Sequence, residues 1–182
     1  MITMDYRLIE QCKVGDSSAI ESFVQTYQHD VYRLALSILD DPSEADDTTQ
    51  EALLAALRAL DSFHGASSLK TWLFSITVNI CRTRLQKQRR RERLQQILSG
   101  ILQSSRPASV EESAIENESD EALWSAIHTM DEKHRIPIVL RYYHDLSVAE
   151  IASILQIPEG TVHSRLNTAR RLLQSALKEG NS

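Results

Sequence analysis

The stretch EIASILQIPEGTVHSRLNTARRLLQ, residues 150–174, sets two short helical patterns around a tight turn. Ser147 and Glu150 form an S-x-x-E capping box that starts the first helix. Val148, Ile151, Ala152 and Leu155 supply its inner face. Ile157-Pro158-Glu159-Gly160 reads as the turn, with Pro158 suited to the first position of the next helix. There Val162, Leu166, Ala169, Leu173 and Ala176 alternate steps of four and three and face a core. At roughly 100° per residue, His163, Ser164, Asn167, Thr168 and Arg171 point away from it, with Thr161, Arg165 and Arg170 on the flanks. Hydroxyls, an amide, an imidazole and guanidinium groups on one face suit the edges of the DNA major groove. The pattern predicts a helix-turn-helix.

The whole chain argues the other way. It has 182 residues, a formal net charge of -5 and a pI near 5.7. Hydrophobic residues make up 42%, enough for packed cores, while 5 Gly and 4 Pro are too few for a loop-rich or all-β protein. The abundant Leu, Ala, Arg, Gln and Glu are helix formers, so the predicted class is all-α. No apolar run approaches the roughly 20 residues that span a bilayer. MITMDYRLIEQCKVGD lacks the basic-then-apolar layout of a signal peptide. Cys12 and Cys81 form no CxxC pair and read as reduced thiols of a cytoplasmic chain. The charge is also segregated. Lys70, Arg82, Arg84, Lys87, Arg89, Arg90, Arg91 and Arg93 are opposed only by Glu92, and then Glu111, Glu112, Glu116, Glu118 and Asp120 reverse the sign. Such a local patch can hold phosphates in an acidic protein.

Ile20, Phe23, Val24, Tyr27, Val31, Leu34 and Ile38 mark the buried face of a long helix, broken at Asp40-Asp41-Pro42-Ser43. Ser43, with Asp46 three residues on, reads as the cap of a second helix with Leu53, Ala56, Leu57 and Leu60 inward. Residues 63–68 read as a loop, and a third helix starts near Leu69 with Leu69, Leu73, Ile76 and Ile80 on one face. Leu94, Ile97, Leu98, Ile101 and Leu102 keep helical spacing, either as its continuation or as a separate helix; packing on the first domain is the default role. The predicted organisation is two small helical domains, 1–103 and 120–182, joined by a flexible acidic linker, 104–119. In FHGASSLKTWLFSITVNICRTRLQKQRRR, rings, a polar loop and a basic helix together suit an unstacked nucleic-acid strand. Phe63 and Trp72 read equally well as core.

The two units together resemble bacterial sigma factors of the sigma-70 family, extracytoplasmic-function group. DPSEADDTTQEALLAAL looks like region 2.2, and FHGASSLKTWLFSITVNICRTRL is similar to regions 2.3 and 2.4. LSVAEIASILQIPEGTVHSRL resembles region 4.2, with Gly160-Thr161-Val162 and Ser164-Arg165-Leu166 matching. The resemblance implies a non-enzymatic initiation factor that binds core RNA polymerase and promoter DNA and is commonly held by an anti-sigma factor. It implies polymerase contacts at Asp47, Gln50 and Glu51. It assigns the -10 element to His64, Ser67, Ser68, Lys70, Trp72, Asn79, Arg82 and Arg84, with a flipped base seated at the loop and Asn79. It assigns the -35 element to Thr161, His163, Ser164, Arg165, Asn167, Arg170 and Arg171. Departures from the family pattern are Leu69 for an aromatic, Ser75 for arginine, Ala66 for an acidic loop residue, His163 and Thr168 for basic residues, and Met130-Asp131 for Leu-Pro. For the stripe at Leu94, Ile97, Leu98, Ile101 and Leu102, lining a polymerase channel or binding an inhibitor are the alternatives to packing.

The acidic total is then intelligible. A free acidic protein gains little from counterion release, but on polymerase each DNA contact becomes intramolecular. The acidic linker also disfavours stray DNA binding by the free factor. A free-standing helix-turn-helix regulator is the alternative reading, and a protein-docking scaffold the next. No Gly-rich phosphate loop, nucleophile elbow, HExxH or metal-ligand spacing occurs, so neither an enzyme, a cofactor nor a metal is expected.

Overall fold

The computed structural model describes residues 2–99 and 118–179. Among them the chain forms α1 (Ile2–Lys13), α2 (Ser17–Leu39), α3 (Pro42–Ala59), a 3-10 turn (Leu60–Ser62), α4 (Leu69–Ser99), α5 (Glu118–His128), α6 (Glu132–Tyr142), α7 (Val148–Leu155) and α8 (Glu159–Glu179), with no strand. The all-α expectation holds. No described helix is long and apolar enough to cross a membrane.

Short side chains set the helix starts. Asp16 Oδ1 accepts from the Ser18 and Ala19 N–H groups at 2.8 and 3.3 Å and caps α2. The break after α2 uses Asp40 in the left-handed region, φ 58°. The cap of α3 is Asp41, whose carboxylate accepts from the Glu44 N–H at 2.9 Å, and not the expected Ser43. The physical reason is Pro42. It holds the preceding residue extended, as an N-cap must be, and itself fills the first helical position. At α7 the expected capping box forms in both directions, Ser147 N–H to Glu150 at 2.9 Å and Glu150 N–H to Ser147 Oγ at 3.2 Å. The turn that follows starts one residue earlier than expected. Gln156 closes α7 at φ 53°, and Glu159 and Gly160 are already helical. The Pro158 carbonyl accepts the Val162 N–H at 3.2 Å, so Pro158 occupies the cap and not the first helical position.

α4 runs unbroken from the loop through the basic run, resolving the two readings of that segment in favour of one helix. Leu94 on it is 58% exposed, so at that residue the packing role fails. Ile101 and Leu102, like most of the expected linker, lie outside the described residues, as do the side chains of Ile97 and Leu98.

Among the described residues, two apolar clusters hold the fold. One lies at the far end of the first unit, where Ile9, Cys12, Phe23, Val31, Leu53, Leu60, Leu69 and Leu73 meet beneath the loop. The other joins the units. There Leu34 and Ile38 of α2 and Phe74, Val78, Cys81 and Leu85 of α4 share one cluster with Ile136, Leu140, Ile151, Leu155, Val162 and Leu166. α4 therefore carries a second apolar stripe beside the expected Leu69–Leu73 one, and the expected inward Ile76 and Ile80 are only half-buried. On α8, Val162, Leu166 and Ala169 are buried as expected, Leu173 is half-buried, and Ala176 is exposed because α8 outruns the helices it packs on. Both cysteines are free and buried, and burial pushes the Cys81 thiol up to about 12.

Candidate nucleic-acid interface

The second helix of the helix-turn-helix presents the face expected of it. His163, Ser164, Asn167, Arg170 and Arg171 are exposed, and Thr161, Arg165 and Thr168 are half-buried. Arg170 is held in place: its Nε donates to the Tyr142 hydroxyl at 2.7 Å and a terminal nitrogen donates to Asn167 Oδ1 at 3.1 Å. Asn167 and Arg170 thus project as a preset pair from a rigid helix.

The loop before α4 is fixed at both ends. Phe63 donates its N–H to Leu60 O at 3.0 Å, closing the 3-10 turn, and Ser68 Oγ accepts the Thr71 N–H at 3.0 Å and meets Thr71 Oγ1 at 2.8 Å. Ser68 therefore caps α4 as well as facing solvent. Between them His64, Gly65 and Ala66 are exposed and Ser67 is half-buried. Trp72 and Phe63 pack on each other, centroids 5.3 Å apart and tilted 56°, and both are half-buried, so each serves core and surface together. Lys70 pairs with Asp30 at 2.6 Å. Asn79 is exposed on α4, about three turns along the helix from the loop.

Arg84 brings two expected sites together. It pairs with Glu44 and, at 2.9 Å, with Glu51 on α3, so a residue expected at DNA is tied to one expected at polymerase. Those carboxylates raise its pKa against the cost of burial. Asp47, Gln50 and Glu51 form an exposed acidic ridge on α3, and Leu54, one further turn along, is 53% exposed on the same side. Sequence reasoning passed over Leu54, although an apolar residue in step with an acidic ridge was a readable signal. Burial lowers the pKa of Arg82, Glu132 opposes the shift, and Arg165 reinforces it.

The second unit packs on the first through polar as well as apolar groups. His128 Nδ1 faces Asp40 Oδ2 at 3.0 Å, and its Nε2 lies 3.3 Å from Ser37 O. Burial nevertheless keeps His128 below its ordinary pKa, outweighing Asp40. The His144 ring stands edge-on to Phe74 of α4, centroids 5.3 Å apart. The Arg33 guanidinium lies 4.7 Å over Tyr143. Among the described residues, no group of three or more side chains could hold a metal ion.

A capped loop on one unit, a long basic helix beneath it and a helix-turn-helix on the other define a two-unit DNA-binding protein of the promoter-recognition type. The descriptions Sigma-70 region 2 and Sigma-70, region 4 match residues 23–91 and 120–173. The chain is 34% identical to the ECF RNA polymerase sigma-E factor of Escherichia coli, over 96% of this chain and 94% of that one. It is 32% identical to the RNA polymerase sigma-H factor of Pseudomonas aeruginosa, over 96% and 94%. Its fold is similar to that of CnrH, solved in complex with the cytosolic domain of CnrY, with TM-score 0.67 and 26% identity over 96% of this chain and 97% of that one. The chain belongs to the sigma-70 family, in its extracytoplasmic-function group.

Proposed function

We propose that this chain is a dissociable initiation factor that binds core RNA polymerase and directs it to promoters with a -10 and a -35 element. The observation that carries the reading is the pairing of both DNA-facing surfaces in one chain, in the order and over nearly the full length of sigma factors. A free-standing regulator leaves the first unit's loop and basic helix without a purpose. The factor works in the cytoplasm and by binding alone: opening a duplex requires trapping an unstacked base, at a cost of a few kcal/mol, and no bond is made or broken.

The roles divide by unit. The first unit, 1–103, uses Asp47, Gln50 and Glu51 on a basic surface of polymerase. Its loop residues His64, Ser67 and Ser68, with Trp72 and Asn79, receive the -10 strand, and Lys70, Arg82 and Arg84 hold its phosphates. Residues 104–119 link the units. The second unit, 120–182, sets Ser164, Arg165, Asn167, Arg170 and Arg171 against -35 bases and phosphates, with Thr161 and His163 at the helix start. An inhibitory protein partner completes the proposal; the likeness to CnrH, solved with a bound partner domain, supports it.

The test is anisotropy and selection with a labelled pool of promoter-length DNA at physiological salt, using the protein alone, core polymerase alone, and both. Sequence-selective retention in the combined sample alone is expected, and it yields the promoter motif. Equal selectivity by the protein alone overturns the reading. Arg165→Ala is expected to weaken holoenzyme at -35 by about 1–3 kcal/mol and to relax specificity there, with polymerase affinity unchanged. Asp47→Arg should do the reverse, and it leaves the Arg84–Glu51 pair intact.

A further inference from the structure

Among the described residues, Tyr6 is the only exposed Phe, Tyr or Trp of the first unit, 46% accessible. It lies on α1, which sequence reading left unassigned. α1 is not a loose end: Ile9 and Cys12, on the turns that follow, are buried in the cluster that also holds Leu60 and Leu69, the residues flanking the loop. Tyr6 is thereby carried to the loop itself. A Cβ on Gly65 would overlap the Tyr6 hydroxyl and stand 3.1 Å from its Cζ, so the tip of the ring rests on the Gly65 backbone. Gly65 has φ +72°, so the position excludes a side chain both by conformation and by space.

An unstacked base needs a flat apolar surface as well as polar groups for its edge. The loop itself offers an imidazole, hydroxyls and backbone. Phe63 and Trp72 are half-buried against each other, and Leu69 is 2% exposed and part of the core. Beside these two half-buried rings, the exposed aromatic ring at this loop comes from a different helix.

We propose that Tyr6 is a wall of the base seat, contacting the flipped base of the -10 strand across Gly65. This rests on the reading of the loop as that seat. The experiment uses holoenzyme and a single-stranded -10 oligonucleotide of the selected motif, together with copies carrying one abasic position each. The position whose base matters most to wild-type holoenzyme is the captured one. Every base has a face that can stack on an aromatic ring, so the contact does not depend on base identity. Tyr6→Ala is expected to weaken the intact strand roughly tenfold and to leave the strand abasic at that position unaffected. Tyr6→Phe should retain most of the affinity. Tyr6→Leu, which preserves bulk against Gly65, should lose nearly as much as Tyr6→Ala and guards against a folding defect. An equal loss on intact and abasic strands would show that Tyr6 only props the loop, and overturns the proposal. Full retention of base dependence in Tyr6→Ala and Tyr6→Leu overturns it too. If wild-type holoenzyme is itself indifferent to every single base, the base-seat reading falls first and takes the proposal with it.

Discussion

At the far end of the first unit Ile9, Phe23, Val31, Leu60, Leu69 and Leu73 pack without a basic side chain among them, whereas the seam between the units encloses Arg135, His128 and His144. Arg135 is 7% exposed, and its Nε, like His144 Nε2 and Glu132 Oε2, is buried without a hydrogen-bond partner. Among the described residues the first unit has fewer of these: Thr49 and Thr77 return their hydroxyls to carbonyls of their own helices at 2.7 and 3.0 Å, while the buried Thr48 hydroxyl and Arg84 Nε lack a partner. A buried group left unsatisfied costs about 1–3 kcal/mol, and a buried charge more. The loop before α4 thus stands on an apolar floor, whereas the joint between the two units mixes its apolar cluster with buried polar and charged groups.

The floor is broken most directly at Phe23. It is fully buried, with its ring 5.2 Å from Tyr27. Phe23→Ala should cost about 3–5 kcal/mol in urea unfolding. A cost below about 1 kcal/mol would erase the contrast between floor and seam.

The seam is challenged by acid. His144 is held down to about 4, first by burial and then by Arg33 and Lys70, against Asp30 and Asp145. In an unfolded chain the imidazole takes its proton near 6.5, so the unfolded state gains the proton first as pH falls. Stability that is complete above about pH 6.5 should therefore drain away toward pH 4, by up to roughly 3 kcal/mol. His128, also lowered by burial, acts in the same direction. Thermal melts at about pH 7.5 and pH 5 measure this, and His144→Leu should flatten the slope. An unchanged slope in that variant would remove His144 from the account.

Two glycines sharpen the comparison further. Gly65→Ala meets both a positive φ and the Tyr6 ring, and should cost about 1–3 kcal/mol and impair promoter opening. Gly160 is helical with nothing within 4 Å of a Cβ, so Gly160→Ala should stabilise the free protein by up to about 1 kcal/mol. Matching signs in calorimetry would mean that the loop is not the constrained element described.

What the sequence determined alone is what neighbours along the chain decide. The three- and four-residue apolar steps marked α2, α3 and α8, and the Ser147–Glu150 box located the start of α7. The exposed face of α8 follows from helical geometry once Val162, Leu166 and Ala169 are inward. The cap at Asp41 was also local, and was misassigned because Pro42 was read as a breaker and not as a first helical residue. Tertiary structure decided the rest. The surroundings of His144 are not legible locally, because the Phe74 ring it meets comes from the other unit, whereas Arg135 opens the apolar run 136–140 of its own helix. Phe74, Val78, Cys81 and Leu85 form a stripe whose partner is α7, more than sixty residues on. Tyr6 meets Gly65 only because α1 is pinned at Ile9 and Cys12. Helical periodicity shows which side chains share a face; which surface that face meets is set by burial of apolar area between segments distant in sequence.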